Sequence, residues 1–172
     1  MIEITAHRLT HHRLTLAIDY GQFTVTGSNR DTDTLELLVQ AQARPPSSGN
    51  RGTVLILSPH QNNFATVVDV DVWDARPPTD RDLWQQVSED LIDVDDRGLI
   101  ILESPTSDSV DCAFPAGHYV LEASGRGFVN YGWPGSTTPG DVWRLRLWPL
   151  DEFGPLGPKR WEMPGYGTPP VR

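Results

Sequence analysis

Apolar residues recur at every second position along much of this chain, and that rhythm restricts what it can fold into. Leu14, Leu16 and Ile18 alternate with Arg13, Thr15 and Ala17. Val68, Val70 and Val72 alternate with Asp69 and Asp71, and Trp143, Leu145 and Leu147 alternate with Arg144 and Arg146. Tyr119, Leu121 and Ala123 follow the same rule, and so do Leu35, Leu37, Val39 and Ala41 against Glu36, Gln40 and Gln42. Successive side chains of a strand point to opposite faces, so each run predicts a strand with one apolar and one polar face, as in antiparallel sheets. Turn-forming clusters separate the runs at Gly27-Ser28-Asn29, Arg44 to Gly52, Asp95 to Gly98, Pro115-Ala116-Gly117 and Gly132 to Gly140. Fifteen prolines and fifteen glycines leave little room for long helices. The expectation is an all-β chain, an antiparallel two-sheet β-sandwich with at most one short helix.

Three segments depart from the rhythm. Thr79 and Asp82 stand three apart like a capping box, and Leu83, Trp84, Val87 and Leu91 follow at helical spacing. The segment reads either as a three-turn helix or as one helical turn near 80–86 running into a strand that ends at Asp95. Residues 44–52 read as a mobile polar loop. The tail from Leu150 to Arg172 is rich in proline and glycine, yet it holds Phe153, Trp161 and Tyr166. Those aromatics predict an irregular strap packed on the body, which gives a sandwich domain of residues 1–149 and an extension of 150–172.

A chain of 172 residues suits one domain with a core of its own. The single cysteine, Cys112, forms no internal disulfide, which points to a reducing, cytoplasmic setting. The start Met1-Ile2-Glu3-Ile4-Thr5 has no signal-peptide pattern, and no apolar run approaches membrane-spanning length. The charge is unevenly spread. Residues 69–111 carry thirteen acids and three arginines, which accounts for the whole formal charge of −9, since the rest of the chain is nearly neutral. Such a segment disfavours nucleic acid and anionic membranes and favours basic partners.

No constellation of catalytic residues emerges. Cys112 and His118 flank a turn as a nucleophile and base might, but Val110-Asp111-Cys112-Ala113-Phe114 reads as a strand with the thiol packed. His11 and His12 are adjacent on a strand and face opposite ways, so they do not share a metal with His7. Asp93-Val94-Asp95-Asp96-Arg97-Gly98 resembles a calcium loop but lacks the later oxygen ligands, and it reads as a hairpin turn. Gly135 to Gly140 has P-loop glycine spacing without the lysine, and Arg126 to Tyr131 resembles an RNA-binding signature on an acidic body. The expectation is a protein that is not an enzyme and needs neither metal nor cofactor.

Several runs together resemble one bacterial group: Asp19-Tyr20-Gly21-Gln22-Phe23, Trp84-Gln85-Gln86-Val87, Gly98-Leu99-Ile100-Ile101, Pro115 to Leu121 and Trp143 to Pro149. They are similar to the competence protein J family, β-sandwich proteins that include inhibitors of a DNA-entry nuclease and relatives resembling toxin-immunity proteins. The likeness covers about residues 14–149, and it favours a short turn followed by a strand over 80–95. It implies an inhibitor or immunity protein that occludes a basic nuclease or other toxin. On that reading Asp69, Asp71, Asp74, Asp93, Asp95, Asp96 and Glu103 meet the partner, and Trp133 anchors it. A cross-strand ladder of Asp69 and Asp71 with Arg144 and Arg146 is the structural alternative for that pair. The alternative function is a small-ligand or carbohydrate-binding sandwich using Trp73, Trp133, Trp148 and Trp161.

Overall fold

The alternating runs form strands whose apolar faces meet across a two-sheet core. The computed structural model describes residues 5–28, 32–106, 108–128 and 137–161. In chain order the elements are β1 (Arg8–Ile18), β2 (Gln22–Thr26), α1 (Thr34–Ala43), β3 (Ser47–Gly49), β4 (Thr53–Leu57) and β5 (Asn63–Trp73). They continue with β6 (Gln86–Val94), β7 (Leu99–Glu103), β8 (Ser109–Ala113), β9 (Gly117–Arg126), β10 (Val142–Pro149) and β11 (Arg160–Trp161). One sheet has the order β1-β5-β10-β9-β6-β11, the other β3-β4-β2-β7-β8. All pairings within the two sheets are antiparallel except β5 with β10.

The period of two places Leu16, Val68, Val70, Val72, Trp143, Leu145, Leu147, Leu121 and Ala123 on the inner face of the first sheet. Phe23, Val25, Val54, Ile56, Ile100, Leu102 and Cys112 face them from the second, and all are buried. Phe23 meets Trp143 edge-on, with ring centroids 5.3 Å apart, so the largest side chains tie the sheets at their middle. On one flank the sheets also join through backbone. Asp93 donates its N–H to the Arg51 carbonyl at 2.6 Å and Asp95 donates to Gly27 at 3.0 Å. A Cβ at Gly27 would lie 2.5 Å from the Asp93 carbonyl oxygen, so only glycine allows that approach.

Two expectations are corrected. Residues 34–43 form helix α1, not a strand. Alternation at Leu35, Leu37, Val39 and Ala41 coexists there with a helical pair. Leu37 and Ala41, four apart, are buried against Leu55, while Leu35 and Val39 are 69% and 58% exposed. The deciding signal is Asp33, whose carboxylate accepts the Glu36 N–H and caps the first turn. The stretch 44–52 is also no free loop. Ser47–Gly49 forms an edge strand on β4, and its buried serines are satisfied: Ser48 Oγ donates to the Leu37 carbonyl, Ser47 Oγ to Asp90. Residues 80–95 are a single 3-10 turn, Arg81–Leu83, followed by β6, in line with the resemblance.

The connection from β5 to β6 passes over the outer face of β10 and β9, and ionic contacts pin it there. Arg146 and Glu122 point outward yet are only 4% and 3% exposed beneath it. Arg146 Nε donates to Glu122 at 2.8 Å and Nη1 to the Pro78 carbonyl at 3.1 Å, while Arg144 binds both Asp80 oxygens at 2.6 and 2.7 Å. Trp84 lies between the guanidiniums of Arg126 and Arg144, 4.4 and 4.5 Å from its ring centre. Removing one partner of such a pair leaves an uncompensated buried charge. Glu122→Leu is therefore expected to destabilise the fold by about 3 kcal/mol or more. Urea unfolding, with an unchanged slope and a lowered midpoint, checks this.

Candidate functional site

The acids of residues 69–111 do not share one face. Three strands' width, about 14 Å, separates β5 from β6 in the first sheet. Asp69, Asp71 and Asp74 lie along β5 and just past its end, and the neighbouring strand β1, with His7 just before it, supplies their partners. Arg13 binds Asp69 through Nε and Nη2 at 2.8 and 3.1 Å. His11 Nδ1 is 2.6 Å from Asp71, with Arg8 3.6 Å away, and the His7 backbone N–H donates to Asp74 at 2.7 Å. The Arg13 hydrogen bond holds the Asp69 carboxyl below its ordinary value. Asp69 and Asp71 do stand in register with Arg144 and Arg146 across β5 and β10. Their ion pairs nonetheless run to β1, because Asp80 and Glu122 engage those two arginines.

The turn after β6, expected to close a hairpin, instead carries the chain from one sheet to the other, since β6 pairs with β9 and β7 with β2 and β8; its acids are held alike. Arg51 donates to both Asp93 oxygens at 3.1 Å, His118 Nδ1 lies 2.7 Å from Asp93, and Arg97 Nε donates to Asp95 at 3.1 Å. Asp96, at the exposed tip, makes no ion pair among the described residues. Glu103 is the expected contact residue placed differently. It ends β7 on the outer face of the second sheet, exposed and without an ion pair among the described residues, beside Ile101. Asp111, exposed on β8 opposite Ile101, was legible only once strand pairing was known. Next to it Asp108 accepts the Ala17 and Ser109 N–H groups. Trp133 and Tyr166 lie outside the described residues.

α1 covers the β3–β4 half of this outer face and leaves the β2–β7–β8 half open. Between them runs a shallow groove floored by Thr24, Thr26 and Thr53, edged by Thr32, Thr34, Arg97, Ile101 and Glu103. It continues past Gln22, Leu55, Ser104 and Pro105. The described tryptophans among those offered for ligand stacking do not gather here. Trp148 is buried rather than exposed, under the Arg76 guanidinium at 4.7 Å, and Trp73 and Trp161 are half-buried at separate places. Cys112 faces the core, and burial pushes its thiol pKa up, opposite to what a nucleophile needs. His60, also buried, lies 2.7 Å from Asp141, which takes further hydrogen bonds from Asn63 and Trp143. This is a structural knot under the loops. Among the described residues no three His, Cys, Asp or Glu side chains converge as a metal site would need, and no helix is long and apolar enough to cross a membrane.

The architecture can be set beside known proteins. No family model matches the sequence, and no curated protein matches it. Solved structures do: ComJ from Bacillus subtilis, the inhibitor of the DNA-degrading activity of NucA, superposes with a TM-score of 0.59 over 86% of this chain and 100% of its own, at 15% identity. The chain has the ComJ fold. A second structure, crocagin biosynthetic gene J, matches with a TM-score of 0.52 over the same shares at 9% identity. The resemblance read from the sequence is thus met at the level of fold, and the whole of ComJ finds a counterpart here.

Beyond the sandwich, the ComJ-like body carries the strap of residues 150–161. Arg76 binds Asp151 and the Gly154 carbonyl, the Leu156 N–H donates to Glu89, and Lys159, the only lysine, caps the Arg44 and Ser47 carbonyls at 3.2 and 2.6 Å. Phe153, expected to pack the strap down, is instead 63% exposed, and polar contacts do that work.

The arginine clamp over the sheet makes a pH prediction. The Asp80 carboxyl is held below its ordinary value, chiefly by the Arg144 hydrogen bonds, with help from the Arg146 charge. A depressed folded pKa contributes stability above the unfolded value, near 4, and loses it as pH falls through the folded one. Arg144→Met should raise the Asp80 pKa and move the acid-unfolding limb to higher pH. NMR titration of the Asp80 side-chain carboxyl checks it; an unmoved pKa would show that Arg144 does not carry the effect.

Proposed function

We propose that this chain is an inhibitor that binds a bacterial nuclease, or a toxin of that kind, and occludes its active site. The observation that carries this is the superposition of the entire ComJ fold on the chain, ComJ being an inhibitor of a DNA-degrading enzyme. The surface chemistry supports the same reading. A nuclease that grips DNA presents cationic side chains to phosphate, and this chain carries a formal charge of −9.

The sequence reading assigned steering to Asp69, Asp71, Asp74, Asp93, Asp95, Asp96 and Glu103. Carboxylates already held by arginine or histidine contribute little field, so we assign most of the steering to the open face of the second sheet, where Glu103 and Asp111 stand without ion pairs. Steering acts on association more than on final affinity, and salt screens it.

The test is a plasmid-degradation assay with the nuclease encoded nearest this chain's gene, together with other non-specific nucleases. Stoichiometric loss of cleavage is expected for one of them. If no nuclease is inhibited, the reading is wrong. With that partner immobilised, the double variant Glu103→Gln, Asp111→Asn should associate several-fold more slowly at low salt and indistinguishably at high salt. An unchanged association rate at low salt would place the steering elsewhere.

A further inference from the structure

Four connections meet at one end of the sandwich: the β1–β2 turn, residues 58–62, residues 104–108, and the described parts of 127–141. Gly21 donates its N–H to the Gln61 carbonyl at 2.9 Å, and Ser58 donates to Gly21 at 2.8 Å. The Thr106 hydroxyl donates to the Asp19 carboxylate, and the Phe64 N–H to the Thr137 carbonyl. The turn Asp95–Gly98 lies at the other end, one length of β5 away, about 33 Å.

The β1–β2 turn has a cost that its own packing does not explain. Tyr20 and Gly21 both have positive φ, 54° and 64°, between the bridged residues Asp19 and Gln22. That is the two-residue hairpin turn that asparagine and glycine favour at its first position, because a larger side chain there crowds the backbone. Here a tyrosine occupies it. The tyrosine is 64% exposed, and its hydroxyl makes no hydrogen bond among the described residues. Strain of this kind persists where the surroundings over-determine it. The surroundings do so here, for Asp19 and Gly21 are tied on both sides of the tyrosine by the contacts above. A second aromatic, Phe64, is 47% exposed at the start of β5 on the same end.

The four connecting segments contain Asp19, Asp108 and Asp141 and no arginine or lysine, with Glu103 and Arg126 adjoining them. Asp19 and Asp141 are buried and hydrogen-bonded within this end, and Arg126 is turned onto the Trp84 ring at 4.4 Å, so the more open carboxylates here are those of Asp108 and Glu103. A rigid, exposed phenol, with Asp108 and Glu103 on the connections at the same end, fits a partner recess lined by arginine or lysine, where the ring face takes the cation and the hydroxyl a hydrogen bond. Because the turn is already fixed, little side-chain or loop freedom is lost when it inserts.

We propose that Tyr20 is the anchor with which this chain enters the cationic cleft of the nuclease, an inference that rests on the inhibitor reading above. The test uses the full chain with Tyr20→Asn, Tyr20→Gly and Tyr20→Phe. Asparagine and glycine suit the left-handed conformation, so both variants should melt a few degrees higher than the parent. Both should also inhibit the nuclease at least about 30-fold more weakly, as loss of a buried aromatic anchor does. Tyr20→Phe keeps the ring and should stay within a few-fold of the parent. Inhibition by Tyr20→Asn and Tyr20→Gly equal to the parent's overturns the anchor while leaving the inhibitor reading intact. A lower melting temperature in both overturns it too, since the phenol would then serve the chain's own stability. If the parent itself inhibits no nuclease, the inhibitor reading falls and takes the cationic occupant with it.

Discussion

The clamp of Arg144 and Arg146 on Glu122 and Asp80 is the constraint around which the first sheet is arranged. β5 and β6 belong to the same sheet but are separated in it by β10 and β9, so the chain between them must cross an outer face. A polar crossing segment could cover that face only if the groups it buries find partners. Arginine suits this, since its planar fork meets carboxylates and carbonyls together and stacks on Trp84. The same device recurs beside it, where Arg76 joins Glu89, Asp151 and Trp148 and ties down the strap.

This arrangement redistributes the electrostatics of the whole molecule. The acids of 69–111 look like a block of negative charge when laid along the chain. Folding brings β1 beside β5, the β3–β4 turn beside the end of β6, and β10 beneath the crossover, and each contributes arginines. What is left negative is a different set, on β7, β8 and the loops around the β1–β2 turn. The paired sheets fix the positions of such loops without tying up their exposed side chains.

Several features were readable from residue order because they depend only on local chemistry. The period of two determined that the chain would make sheets with one apolar face, and it marked Leu16, Val70, Leu121, Trp143 and Leu145 as core. Thr79 to Asp95 could be read as a turn and a strand through resemblance, and the adjacent His11 and His12 as facing apart. Helix α1 was misread because alternation and a buried i, i+4 pair coexist in Leu35 to Ala41; the Asp33 cap, a purely local signal, was there to decide it.

What only the tertiary structure decided is everything that depends on which strands are neighbours. Trp148 looks like one more aromatic at the end of a strand, yet it is buried, because the crossover lays Arg76 over it. Residues 44–52 have the composition of a loop, but Ser47 and Ser48 are paid back for burial by Asp90 and by the helix carbonyl of Leu37. Asp69 and Asp93 carry the same charge in the sequence as Glu103, and only the fold gives the first two their arginines and leaves the third bare. A side chain's periodicity is written in its immediate neighbours, so the sequence alone could supply the sheets. Its net charge and exposure depend on residues tens of positions away, and those meet it only when the strands pair.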